Sequence, residues 1–283
     1  MPSTSILFGL MAMFFWGISK VIAKPAIKRI GPYHALFYEH LVVAIVLSIC
    51  CIPFVDIAIP TGNTLLLLIA AIIIGALAIY LFFKSIDQGK VSLSTPIAQS
   101  SVILTVVLSF IFYGETLSGM QLIAIILLII GVILVSFKYS EIVKLNFSRT
   151  IPGARLALLT LVGWGIYFFL IKPIVIALGP LLSVWYLETG MSILIAIPLL
   201  FKGIKNPGKT MIYPLFSGTF VALGSLSFNL GIEKMAVSLF YPIVNSSVFI
   251  TAICSRIFLR EKIDINQKIA IFLIILGLVL ISL

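Results

Sequence analysis

Moved along itself by 146 residues, this chain meets a second copy of itself. Ala76 to Ser136 then lies over Ala222 to Ser282, and roughly 26 of those 61 positions are identical. Val91-Ser92-Leu93, Pro96-Ile97, Ser100-Ser101-Val102, Thr105, Glu115 and Gly131 stand over Val237-Ser238-Leu239, Pro242-Ile243, Ser246-Ser247-Val248, Thr251, Glu261 and Gly277. A shift of 148 aligns the earlier part: Trp16-Gly17-Ile18, Lys24-Pro25, Gly31-Pro32 and Tyr38 over Trp164-Gly165-Ile166, Lys172-Pro173, Gly179-Pro180 and Tyr186. Apolar bias makes Ile-for-Ile matches by chance. It does not align Trp, Pro, paired Ser and Glu, so the chain is a duplicated unit.

The unit belongs in lipid. Hydrophobic residues make up 61% of the 283 and charged ones only 10%, against about 25% charged in a soluble domain. Apolar runs long enough to cross a bilayer, roughly 20 residues each, fall at about 5–24, 33–53, 64–84, 91–113, 119–138, 152–172, 180–200, 210–231, 236–258 and 265–283. Runs of this length predict helices, because a membrane β-barrel shows short alternating segments. The expected fold is therefore an all-α membrane protein of ten transmembrane helices. It consists of a first five-helix repeat over 1–140, a linker over 141–151 and a second repeat over 152–283. The first run has no Lys or Arg before it and contains Lys20, so it reads as a span and not as a cleaved signal.

Five spans per repeat is an odd number, so the second copy must enter the membrane in the opposite sense. Charge agrees with this. All of the 19 Lys and Arg residues except Lys172 and Lys234 fall in or near the gaps after spans 1, 3, 5, 7 and 9. Matching gaps of the two copies thus carry opposite bias. The positive-inside rule then expects the odd gaps in the cytoplasm and both termini outside. The net charge of +10 is an orientation signal; a nucleic-acid face would need a soluble scaffold, and none is present. Cys50, Cys51 and Cys254 lie in apolar runs and read as packing residues.

Two antiparallel copies create a pseudo-two-fold axis in the membrane plane. Such a pair opens to either face when its halves exchange conformations, with the solute site at the repeat interface near the midplane. This points to a secondary transporter. Only two histidines exist, His34 and His40, and there is no His-Glu-x-x-His pattern or pair of intramembrane aspartates. An intramembrane enzyme, a metal site and a cofactor are therefore not expected. A channel or lipid scramblase remains the alternative.

The order of motifs resembles the drug/metabolite transporter superfamily, EamA type. Trp-Gly occurs in the first span of each half, Gly-Pro before the second, and a proline within the fourth. Gly114-Glu115 or Arg260-Glu261 closes the fourth, and a Gly lies late in the fifth. The resemblance covers nearly the whole chain. It implies a ten-helix exporter or exchanger of small metabolites in the cytoplasmic membrane. It also implies a central cavity lined mainly by spans 1, 3, 4, 6, 8 and 9, and amino acids or related solutes as cargo. A multidrug or nucleotide-sugar-like carrier is the alternative. Members often carry Arg seven residues after the Gly-Pro proline, where this chain has Glu39 and Leu187. The resemblance implies cytoplasmic termini, whereas the charge count favours external ones; the charge count is taken as the expectation. Lipid and a small-molecule solute, with protons as a further partner, are the expected partners of a monomer that is an internal pseudo-dimer.

Ionised side chains inside the bilayer are expensive and each needs a reason. Glu188 lies deepest, in span 7, and reads either as a proton-coupling or cation-binding carboxyl or as a hydrogen-bonded packing residue. Its repeat mate is His40, beside Glu39; these two are further coupling candidates, or else residues that face the headgroups. Lys20, near the end of span 1, is expected to pair with Glu39 or to snorkel. Gln99 and Asn245 align, each three residues after the aligned proline, and Ser100 and Ser246 follow them. Proline frees carbonyls and bends a helix, so these residues are cavity candidates, or else polar glue between helices. Trp16, Trp164, Tyr80 and Tyr241 are candidates for aromatic walls or ordinary packing. Glu115 and Glu261 are expected to cap the next helix of their own half.

Overall fold

The computed structural model describes residues 2–88, 97–136, 153–259 and 265–282. The expected linker at 141–151 and Glu261 lie outside those residues. The described part is helical: α1 (Pro2–Ile30), α2 (Pro32–Cys51), α3 (Gly62–Gln88), α4 (Ser101–Tyr113), α5 (Gly119–Ser136), α6 (Ala154–Leu178), α7 (Pro180–Lys202), α8 (Ile212–Ile232), α9 (Val237–Asn245), α10 (Ser247–Leu259) and α11 (Ile265–Ser282). Seven helical stretches are long and apolar enough to cross a membrane, and three shorter apolar helices complete the set of ten. Span 9 consists of α9 and α10. Span 4 is α4 preceded by a helical turn at Ile97–Gln99. Bulky apolar side chains such as Ile49, Leu66, Ile111, Ile257 and Phe272 point outward along the helices, where only lipid can accept them.

The Gly-Pro pairs explain how helices reverse with almost no loop. Gly31 (φ 85°, ψ 159°) and Gly179 (φ 76°, ψ 161°) occupy a region that only glycine enters freely, and Pro32 and Pro180 start the next helix at its first position. A methyl group at Gly179 meets no atom within 4 Å, so its penalty is purely conformational. Gly179→Ala is expected to lower stability by about 1–3 kcal/mol, read as a drop in melting temperature in detergent. An unchanged melt would show that the turn has another conformation.

The two copies touch each other through equivalent atoms. Thr105 donates to the carbonyl of Gly165 at 3.0 Å, and Thr251 donates to that of Gly17 at 2.9 Å. Gly131 packs on Ile274 and the Ala270 carbonyl, while Gly277 packs on Leu128 and the Ala124 carbonyl. The repeat shift carries each contact onto the other with the halves exchanged. That reciprocity is the signature of a two-fold axis. Asn245 Nδ2 donates to the carbonyl of Gln99 at 3.0 Å. These two residues are repeat mates, so the axis passes between them. Span 1 packs on span 8 and span 3 on span 6, again as an exchanged pair.

Span 9 is interrupted where its proline predicts. Ser246 sits at φ −61°, ψ 0°, and its backbone N–H turns back to the carbonyls of Pro242 and Ile243. Ser100 repeats the geometry at φ −63°, ψ −3°. Both breaks lie beside the axis, inside a span. Backbone irregularity is tolerated there only when protein or a cavity covers it.

Candidate functional site

A hollow of about 140 Å³ lies between the repeats. An apolar cavity of roughly 150 Å³ accepts a benzene-sized molecule, so this space suits a small solute. Trp16, Lys20, Gln99, Trp164, Tyr241 and Asn245 line it, as do Glu39, His40 and Glu188. The expected walls from spans 1, 3, 4, 6, 8 and 9 are joined by spans 2 and 7, which bring Glu39, His40 and Glu188.

Aromatic rings form most of the wall, in two related sets. Trp16 stacks on Phe228 at 5.5 Å between centroids, and Trp164 lies 4.8 Å from Phe82. The repeat shifts turn one pair into the other. Phe168 and Tyr241, 4.4 Å apart, join the first set. Gly224 lets the Trp16 indole approach, since a methyl there would lie 2.4 Å from the ring. The Trp16 indole N–H donates to the Val221 carbonyl at 3.4 Å. Tyr241 exchanges a hydrogen bond with Ser101 at 2.9 Å.

The polar groups are few and separated. Glu188 is only 5% exposed. Its Oε1 accepts from Ser225 at 2.7 Å, while Oε2 has no hydrogen-bond partner. Ser225 and Asn229 continue the polar strip along α8, where Asn229 Nδ2 donates to the Ser225 carbonyl at 2.9 Å. Ser192 bridges the carbonyls of Glu188 (2.7 Å) and His40 (2.8 Å). These two are repeat mates, so spans 2 and 7 also meet at the axis. Glu39 and His40 are buried in the protein and do not face headgroups.

Several expectations require correction. α1 continues to Ile30, so Lys20 sits well inside it and not near its end. Among the described residues, Lys20 and Glu39 form no ion pair within 4 Å; the Lys20 ammonium donates to Ser247 at 3.4 Å. Ser246 turns away from the hollow and bonds the Pro242 carbonyl at 2.9 Å, leaving Ser247 to line it. The break at Ser246 resets the helical phase, which periodicity alone does not show. Ser100, at the equivalent break, is not in the lining. Tyr80 also lies outside it, with its ring edge-on to Tyr33 at 5.7 Å.

Glu115 caps a helix, but not the next one. Its Oε1 and Oε2 accept from the backbone N–H groups of Val237 (2.7 Å) and Ser238 (2.9 Å), the first turn of α9 in the other repeat. The next helix, α5, has its own reciprocal cap: Ser118 N–H donates to Gln121 Oε1 at 3.0 Å, and Gln121 N–H to Ser118 Oγ at 3.2 Å. The Ser-x-x-Gln spacing at 118–121 was the available sequence signal that Glu115 was not needed there.

Ten spans in two inverted repeats around a hollow between them define a multi-pass membrane transporter. A model of the EamA-like transporter family matches residues 3–137 and again 151–283, so the chain belongs to that family. A relative from Archaeoglobus fulgidus, described as an uncharacterized transporter, is 27% identical over 283 residues and 98% of each chain is covered. Another so described, from Clostridium kluyveri, is 21% identical with 96% of this chain and 90% of its own covered. An uncharacterized protein of Methanocaldococcus jannaschii is 29% identical over 135 residues, which is 48% of this chain but 98% of that one. A crystal structure at 14% identity superposes with a TM-score of 0.77 over 98% of this chain and 96% of the other, which shows a common fold.

Proposed function

We propose that this protein exports or exchanges small zwitterions, amino acids with apolar side chains foremost, across the cell membrane by alternating access, acting as a monomer. One observation carries the reading: Lys20 and Glu188 line the same hollow without an ion pair between them. Among the described residues neither has a counter-charge within 4 Å, and leaving a buried charge so is costly. A zwitterion supplies both, its carboxylate to Lys20 and Ser247, its ammonium to Glu188 and Ser225. The aromatic wall then receives the side chain. A nucleotide sugar fits poorly, because its phosphates would meet Glu39 and Glu188.

Glu39 and His40 supply the proton-exchanging groups beside the solute. A carboxyl that binds a proton facing one side and releases it facing the other couples the two fluxes. Glu39→Gln is expected to flatten the pH dependence of net uptake while equal exchange continues.

The direct test is counterflow in proteoliposomes. Vesicles preloaded with unlabelled leucine or phenylalanine are expected to accumulate the labelled solute transiently and saturably. Absence of accumulation with every amino acid tried would defeat the zwitterion reading. Non-saturating flux would indicate a channel.

A further inference from the structure

Neither Glu115 nor Lys172 lines the hollow, yet both grip the same short corner between spans 8 and 9. Glu115 holds the backbone N–H groups of Val237 and Ser238. Lys172 Nζ donates to the carbonyls of Ile232, Glu233 (3.0 Å) and Met235 (2.9 Å). An anion thus sits on the N-terminus of α9 and a cation on the C-terminus of α8, each complementing the helix dipole it faces. The two residues come from different repeats, Glu115 following span 4 and Lys172 within span 6. Lys172 and the corner share the second repeat, so it is the hold of Glu115 that crosses between the repeats and depends on how they are arranged.

The corner carries a plug. Phe240, three residues into α9 from Val237, is fully buried. Its ring fills a slot between α1 and α8 that two glycines create. A methyl at Gly231 would lie 2.4 Å from the ring and one at Gly9 would lie 3.1 Å from it. Phe228, 5.3 Å further in, belongs to the wall of the hollow. Phe240 therefore separates the hollow from the face that bears the corner. The other direction differs. The hollow extends to Ile27 and Ile86, and Ile86 is half-buried, whereas its repeat mate Ile232 is fully buried beneath the corner.

We propose that Glu115 and Lys172 are the latch of the gate on this face, with Phe240 as its bolt. When the repeats exchange conformations, Glu115 leaves the start of α9 and Lys172 leaves the end of α8. The corner then moves outward, Phe240 leaves its slot, and the hollow opens to this side. The sequence has Lys24 and Glu261 at the repeat-mate positions of Lys172 and Glu115, but Ser94 at that of Phe240.

The test reads which face reaches the hollow, and it needs no knowledge of the solute. Val244, in the wall, is replaced by Cys in a background without Cys50, Cys51 and Cys254. A membrane-impermeant maleimide is then applied from each face of oriented vesicles. Closed-state labelling from the corner face is expected to be slow. Glu115→Gln and Lys172→Met are each expected to raise it about tenfold, as when a minor open state grows from roughly 1% to 10%, with no rise from the opposite face. Lys172→Arg is expected to restore slow labelling, and Phe240→Ala to raise it with the latch intact. Unchanged labelling in both latch variants would overturn the proposal. So would an equal rise from both faces, which is the mark of general loosening.

Discussion

Lys20→Met is expected to abolish recognition of solutes that carry a carboxylate while leaving transport of the corresponding decarboxylated amines. The Lys20 ammonium reaches Ser247 at 3.4 Å and lines the hollow, where no carboxylate among the described residues pairs with it. Losing one hydrogen bond to a charged group costs about 1.5–3 kcal/mol, roughly a 10- to 100-fold loss in affinity. Met keeps the length and apolar volume of the stem, so packing of α1 against α10 is retained. Glu188→Gln is the mirror experiment. It keeps the Ser225 contact but removes the negative charge, so it is expected to impair solutes with an ammonium and to spare the corresponding acids that lack one. Competition by amino acid, amine and acid analogues against one labelled substrate measures both. If the two variants lose all three classes equally, the charges hold the fold and not the solute.

Gly17→Val is expected to produce the largest loss of stability. A methyl at Gly17 would lie 2.5 Å from Ile250 Cβ and 2.9 Å from the Ser247 carbonyl oxygen. The second obstacle is backbone, so it cannot rotate away. Overpacking of this kind costs typically about 1–3 kcal/mol, and Val adds further atoms to the same clash. The change would also push α10 off α1, lengthening the Thr251 to Gly17 hydrogen bond now at 2.9 Å and moving Ser247 away from Lys20. Gly165→Val tests the repeat-mate position, where the three atoms nearest a methyl all belong to the Leu104 side chain, the first of them 2.6 Å away. A leucine has some freedom to move, so the loss is expected to be smaller. Thermal unfolding in detergent measures both. Equal melts for wild type and Gly17→Val would show that spans 1 and 9 do not approach this closely.

Legibility differed from residue to residue. Gln99 and Asn245 could be paired on paper because the repeat aligns them, and repeat mates near an axis must meet. Glu188 could be singled out because a charge deep in an apolar run is rare. Its Ser225 partner could not be foreseen, since it comes from another span and a one-dimensional pattern carries no span adjacency. The apolar run that stops at about residue 24 puts Lys20 close to a helix end, yet α1 runs on through Pro25 to Ile30. Ser246 and Ser247 are sequence neighbours, and only the break between α9 and α10 decides which one faces the hollow.

What the sequence alone determined is the solvent, the number of spans and the antiparallel duplication. These follow from apolar length, an odd span count and self-alignment, all of which are properties of the chain taken along its length. What only the tertiary structure decided is which side chains meet: Glu115 on the far repeat's α9, Lys172 on the end of α8 in its own repeat, Lys20 and Glu188 around one hollow. The reason is physical. Lipid dictates that a helix forms but is equally apolar on every side, so rotation and neighbours are set by close packing of small residues such as Gly17, Gly224 and Gly231.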